Sequence, residues 1–106
     1  MNTEALLRYL KQRCTGRQNA IKSPALEALF RVRGASLRKA VNALRCEGHP
    51  ICSDEYGYYY AATEAELTAT IRQLGSRISR IAGAKNGLVR AADQYASDQL
   101  RLPLEE

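Results

Sequence analysis

The sequence predicts a mainly α-helical domain with one small β-hairpin, followed by a long C-terminal helix. Three observations carry this reading. Leu37, Val41 and Leu44 fall at i, i+4 and i+7, so they share one apolar face of a helix. Ile51-Cys52-Ser53 and Tyr58-Tyr59-Tyr60 are strand-like and flank Asp54-Glu55-Tyr56-Gly57, a hairpin turn. From Leu67 to Tyr95, seam positions then recur at alternating steps of four and three.

The elements follow in chain order. Thr3 to Arg13 reads as a helix capped by Asn2 or Thr3, with Leu6, Leu7 and Leu10 on its inner side. Residues Cys14 to Lys22 form a polar link, ending in a short strand at Ala20-Ile21-Lys22 that adds an edge to the hairpin. Ser23-Pro24 starts a second helix, Ser as cap and Pro at the first helical position. It runs to about Phe30 or Arg31 and buries Leu26, Leu29 and Phe30. Arg31-Val32-Arg33 is a turn plugged by Val32, and a third helix begins near Gly34. Gly48 stands where a helix stop belongs, and Pro50 prevents continuation. In the hairpin, Tyr58 and Tyr60 share a face and Tyr59 takes the other; packing on helices is their expected role.

Thr63-Glu64-Ala65-Glu66 is a capping box, in which Thr63 caps and Glu66 reaches back to its N–H. The seam behind it is Leu67, Ile71, Leu74, Ile78, Ile81, Lys85, Leu88, Ala92 and Tyr95. Gly75, Gly83 and Gly87 weaken a helix, and Asn86-Gly87 would suit a turn. The apolar register is unchanged across them, which favours one continuous helix. The expected organisation is a domain over 1–62, a long helix over 63–100 and a flexible tail over 101–106.

Composition narrows the function. Hydrophobic residues make up 45% of the chain, which suits a folded protein. No apolar run has membrane-span length, and the N-terminus lacks a signal-peptide core. Cys14, Cys46 and Cys52 have no C-x-x-C spacing and read as spare buried thiols in a reducing cytosol. With His49 the only histidine, a His-based zinc site or catalytic triad has little to build on. No enzymatic activity, cofactor or metal is expected.

The net charge of +5 is unevenly placed. Residues 1–53 hold ten Lys and Arg against three acids, and the remainder six against eight. Between Arg31 and Arg45 there are five basic residues and no acid, a local field that attracts polyanions through counterion release. A short helix, a tight turn and a basic helix form the bihelical unit that presents its second helix to the major groove. With the hairpin beside it, the layout is that of a winged helix-turn-helix. Arg38, Lys39 and Asn42 suit base edges, since Arg and Lys match guanine and Asn matches adenine. Ser36, Arg33, Arg31, Arg45 and Lys22 suit phosphates. The acidic wing tip, Asp54-Glu55, is repelled by phosphates, so the hairpin is expected to buttress the core.

Residues 20–62 resemble the winged-helix DNA-binding family of the biotin operon repressor type. The likeness rests on the Val32-plugged turn, Val41-Asn42-Ala43-Leu44-Arg45, Gly48, and a hairpin closing on Gly57-Tyr58. The run LRCEGHPICSDEYGYYYA before a capped long helix is similar to small winged-helix proteins of phages and prophages. The resemblance implies that the helix over 34–45 lies in the major groove, with Ala35, Ser36, Arg38, Lys39 and Asn42 as readers. Arg33 departs from the family, which usually has a small capping residue there, and so does the acidic tip.

The expected function is therefore sequence-specific binding of double-stranded DNA by a dimeric cytoplasmic transcriptional regulator of phage or mobile-element origin, in the bacterial host cytosol if phage-encoded. Dimerisation would use Leu67, Ile71, Leu74, Ile78, Ile81, Leu88 and Tyr95, because a small domain cannot cover so long a seam. Two other readings stand beside it. One is a replication or packaging accessory protein that recruits another machine through the long helix. The other is a protein-interaction module, such as an inhibitor of a host nuclease, whose basic face meets an acidic patch.

Overall fold

The computed structural model describes residues 1–105, with side chains through residue 98. It divides into two units, Met1–Ile71 and Arg72–Glu106. In chain order the elements are α1 (Thr3–Arg13), a 3-10 turn (Arg17–Asn19), α2 (Ser23–Phe30), α3 (Gly34–Cys46), β1 (Ile51–Asp54), β2 (Gly57–Tyr60) and α4 (Glu64–Glu105). The chain is thus mainly helical, with a two-stranded antiparallel hairpin and a long C-terminal helix. Among the described residues, no helix is long and apolar enough to cross a membrane.

The core of the first unit is built from one stripe of each element. Leu6 and Leu10 of α1, Leu26 of α2, and Leu37, Val41 and Leu44 of α3 are buried together with Ile51, Cys52 and Tyr59. Asn2 is the cap of α1: its Oδ1 accepts from the N–H of Ala5 at 3.1 Å. At α2 two expectations fail. Ser23 does not cap; its hydroxyl donates to Glu27 Oε2 at 2.9 Å, and no side chain caps this helix. Leu29 is 52% exposed, not buried. It lies about 60° round the helix from Leu26, on the side away from Phe30, and a two-turn helix buries only a narrow stripe. Phe30 meets Tyr9 of α1 edge-on, with ring centroids 5.9 Å apart.

The strand expected at residues 20–22 is a single bridge. Ile21 exchanges two backbone hydrogen bonds with Tyr58, at 2.9 and 2.8 Å. A second bridge lies at Thr15: Tyr60 donates to the Cys14 carbonyl and accepts from the Gly16 N–H, both at 2.8 Å. β2 therefore has backbone partners on both sides, β1 in the register Ile51↔Tyr60 to Asp54↔Gly57 and the N-terminal link opposite. Gly57 sits at φ +122, so close to the Ile21 carbonyl that a Cβ there would overlap it.

The capping box forms with one change. Thr63 Oγ1 accepts from the Glu66 N–H at 3.2 Å. The Glu66 carboxylate, however, accepts from the N–H of Ala62 at 2.8 Å and from that of Arg17 at 2.9 Å, not from Thr63. Two further contacts tie α4 to the hairpin. Thr70 is buried and its hydroxyl accepts from the Ser53 N–H at 3.4 Å, and Cys52 Sγ donates to the Glu66 carbonyl at 3.7 Å.

In the second unit, α4 continues through Gly75, Gly83 and Gly87, and no turn forms at Asn86-Gly87. It runs to Glu105, so it takes in residues 101–105 of the expected tail; residue 106 of that tail lies outside the described residues.

Two predictions follow from the hub around β2. Gly57→Ala should cost about 2–4 kcal/mol in urea unfolding, since strained φ and overlap act together. Gly48→Ala, at φ +96 with nothing within 4 Å of its Cβ, should cost only about 1 kcal/mol. Equal losses would show that the approach to Ile21 is unimportant. Separately, hydrogen bonds from the Arg17 and Ala62 N–H groups hold the Glu66 carboxyl below its ordinary range. Its contribution is therefore present above the ordinary carboxylate pKa and lost as pH falls through the lowered value. Unfolding curves from pH 7 to pH 3 should show a weaker acid loss in Glu66→Gln than in the wild type.

Candidate nucleic-acid interface

The candidate interface centres on α3. Its buried stripe of Leu37, Ala40, Val41 and Leu44 fixes which way the helix turns. At 100° per residue, the direction opposite that stripe carries Ala35, Lys39, Asn42 and Cys46, with Arg38 on one shoulder. All five are exposed. Ser36 is exposed too, but on the other shoulder, in a groove of about 360 Å³ shared with Met1 and Thr3 at the start of α1.

The turn before α3 adds the rest of the positive charge. Arg31 ends α2 in the left-handed conformation, φ 54 and ψ 48, the only described non-glycine residue with positive φ. This conformation lets the Val32 N–H donate to the Glu27 carbonyl at 3.0 Å and sets the half-buried Val32 under the turn. Arg33 precedes α3 with extended backbone and no side chain caps the helix; the Arg38 guanidinium and the Glu27 carboxylate both lie against Gly34 in its first turn. Among the described residues, none of Lys22, Arg31, Arg33, Arg38 and Lys39 forms an ion pair.

Two of the expected phosphate contacts are placed differently. Arg45 is half-buried: its Nε donates to the Ile51 carbonyl at 2.8 Å and its Nη2 to Ser53 Oγ at 3.1 Å. It braces α3 against β1. Lys22 is exposed but lies away from the α3 face, in an open groove of about 610 Å³ with Arg17, Gln18, Ala20 and Tyr56.

Sequence reasoning missed Arg17. Its Nε pairs with Asp54 Oδ2 at 2.7 Å, its Nη2 lies 3.4 Å from Glu55 Oε1, and its guanidinium covers the Tyr56 ring at 4.7 Å. The acidic hairpin tip is thus partly neutralised and tied to the 3-10 turn. Nothing local in the run Thr15-Gly16-Arg17-Gln18-Asn19 signals a partner so far along the chain. The third cysteine was also misplaced. Cys14 and Cys52 are buried, and burial pushes both thiols up, so they stay protonated. Cys46 is exposed, four residues past Asn42 on the same outward face, a spacing that the sequence does contain. Among the described residues, no group of three His, Cys, Asp or Glu stands together as a metal site.

No protein-family model matches the chain, and no significant match is found among curated proteins or solved structures.

Arg31→Gly should raise stability by about 0.5–1 kcal/mol in urea unfolding, because glycine adopts the left-handed region without a Cβ penalty. A loss of stability would mean that the arginine side chain supports the turn.

Proposed function

We propose that the chain is a winged-helix protein that binds double-stranded DNA, with α3 in the major groove. The observation that carries this reading is the outward face of α3: Lys39, Asn42 and Arg38 project from it, and no acid lies between Arg31 and Arg45. Asn42 and Arg38 present the amide and guanidinium that pair two-fold with adenine and guanine edges. Arg31 and Arg33, beside the uncapped N-terminus of α3, suit phosphates and fix the register of the helix on the duplex. That Arg31 keeps a conformation favouring glycine supports a role for its side chain outside stability. Arg45 is a brace in this reading, and Lys22 with the hairpin flank belongs to the periphery of the interface.

The protein acts as a dimer through the seam of α4, with a two-fold symmetric DNA site. The exposed Ile78, Ile81 and Leu88 support this, since leaving each in water forgoes roughly 1.5–3 kcal/mol. A transcriptional regulator of phage or mobile-element type, working in a reducing cytoplasm, fits the three free cysteines and the sequence resemblance. The second reading, a replication or packaging accessory protein, is favoured by the same exposed seam if another protein covers it.

Binding to labelled duplexes, read by fluorescence anisotropy, tests the proposal. Raising salt from roughly 50 to 200 mM should weaken binding about tenfold or more. On a preferred site selected from random duplexes, Asn42→Ala or Arg38→Ala should cost about 1–3 kcal/mol and relax base preference. Arg31→Ala should weaken specific and random duplexes about equally. Undetectable binding to any duplex at low salt would end the DNA reading.

A further inference from the structure

Between Glu66 and Asp93 the chain has no acid, and α4 carries Arg72, Arg77, Arg80, Lys85 and Arg90 there. These are as many cations as lie from Arg31 to Arg45, on a helix whose charge the dimer reading leaves unused. All five are exposed, and among the described residues none forms an ion pair. A helix with cations along it and no acid between them creates a field that draws polyanions.

The helix sorts these cations by direction. Ile78, Ile81, Leu88 and Val89 form one exposed apolar stripe. At 100° per residue, Arg72, Arg80 and Arg90 project from the opposite side, Arg77 lies on one flank and Lys85 stands within the stripe. One partner therefore cannot take both faces. A second copy seated on the stripe leaves the three arginines pointing away from it. A lipid surface fits poorly, because taking the stripe would bury Lys85 and turn the arginines away from the headgroups.

Between the arginines this outward face is small. Ser76, Gly83 and Gly87 point the same way as the arginines do. Among the described residues, an added Cβ at Gly83 would meet nothing beyond its own helix turn within 4 Å, and one at Gly87 only the Arg90 guanidinium at 3.8 Å. Packing within the chain thus gives no reason for glycine, which costs about 1 kcal/mol relative to alanine inside a helix. A ligand backbone lying along the face does give one, since it can come close to the helix there. No aromatic residue stands between Tyr60 and Tyr95, so no base can stack on this face, which is fitted to phosphates alone.

We infer that the outward face of α4 is a second, sequence-independent surface for duplex DNA, holding backbone phosphates through Arg72, Arg80 and Arg90. The inference extends the DNA reading above: there α3 reads bases, and here α4 adds affinity without base preference. Each arginine that neutralises a phosphate releases condensed counterions, so α4 also steepens the salt dependence of binding. The three lie ~12 and ~15 Å apart along the axis, a spacing that gives each guanidinium its own phosphate.

Fluorescence anisotropy of the full chain, on the preferred duplex and on a random one, tests this. The triple variant Arg72→Gln, Arg80→Gln, Arg90→Gln should bind both about tenfold or more weakly at roughly 50 mM salt. Its base preference should be unchanged and its salt slope shallower by about two or more. The triple variant Arg72→Lys, Arg80→Lys, Arg90→Lys should bind like the wild type, since lysine also neutralises phosphate. Gln keeps the helix propensity of Arg, so sedimentation should match the wild type. Where it does not, Arg80→Gln alone decides, with a slope shallower by about one. A Gln variant with unchanged affinity and slope would overturn the α4 surface and leave the α3 reading standing, and so would a Lys variant as weak as the Gln one. Loss in the Gln variant, beside unchanged base preference in Arg38→Ala and Asn42→Ala, would sink the α3 reading and keep this one. A wild type that binds phosphatidylserine vesicles but no duplex would overturn both.

Discussion

The exchange of two hydrogen bonds between Ile21 and Tyr58 decides where everything in the first unit goes. It fastens the N-terminal link to the hairpin one residue before Lys22, whose carbonyl opens α2 by accepting from the N–H groups of Ala25 and Leu26. From that fixed point the two turns of α2, the left-handed Arg31 and the half-buried Val32 follow, and they determine how α3 is presented. The contact is possible only because residue 57 has no side chain, so a glycine in the hairpin ultimately orients a helix more than ten residues upstream.

Charge is managed differently at the two ends of this unit. Around the hairpin tip, acids are consumed: Asp54 and Glu55 share Arg17, and Asp54 also accepts from the Tyr56 N–H at 2.8 Å. Around the α2–α3 turn bases outnumber acids: no acid follows Glu27 until Glu47, and the Glu27 carboxylate lies against Gly34 on the same spot as the Arg38 guanidinium. Exposed pairs like those of Arg17 contribute little to stability, so their main effect is on the field. They reduce the negative potential beside Lys22.

Periodicity made the helices and the hairpin legible, and with them the buried Leu37–Val41–Leu44 stripe and the outward face of α3. What periodicity does not contain is which of two local partners a polar group takes. Ser23 has both the orphan N–H groups of α2 and the Glu27 carboxylate within reach, and bonds the carboxylate. Glu66 satisfies Ala62 instead of Thr63, because the Arg17 N–H draws its second oxygen toward the 3-10 turn. Arg45 reads as one more cation in a basic run, yet the adjacent β1 offers it a carbonyl and a hydroxyl. Cys46 was recoverable from spacing alone, since it is eleven residues past Ala35 and so lies on the same face.

The bridges from β2 to residues 14–16 and 21 also have a kinetic meaning. β1 and β2 are neighbours in sequence and close through a two-residue turn, on the microsecond scale of isolated hairpins. Joining Ile21 to Tyr58 must instead close a loop of roughly 40 residues, an entropy cost on the order of 3 kcal/mol. That closure is rewarded only once Leu6, Leu10 and Leu26 are in place against α3 and the hairpin. The first unit therefore combines one local closure, the hairpin, with one long-range closure that is coupled to the packing of the core. A chain trimmed at its beginning loses the step that commits it to the folded state, although every residue proposed to touch DNA would still be present.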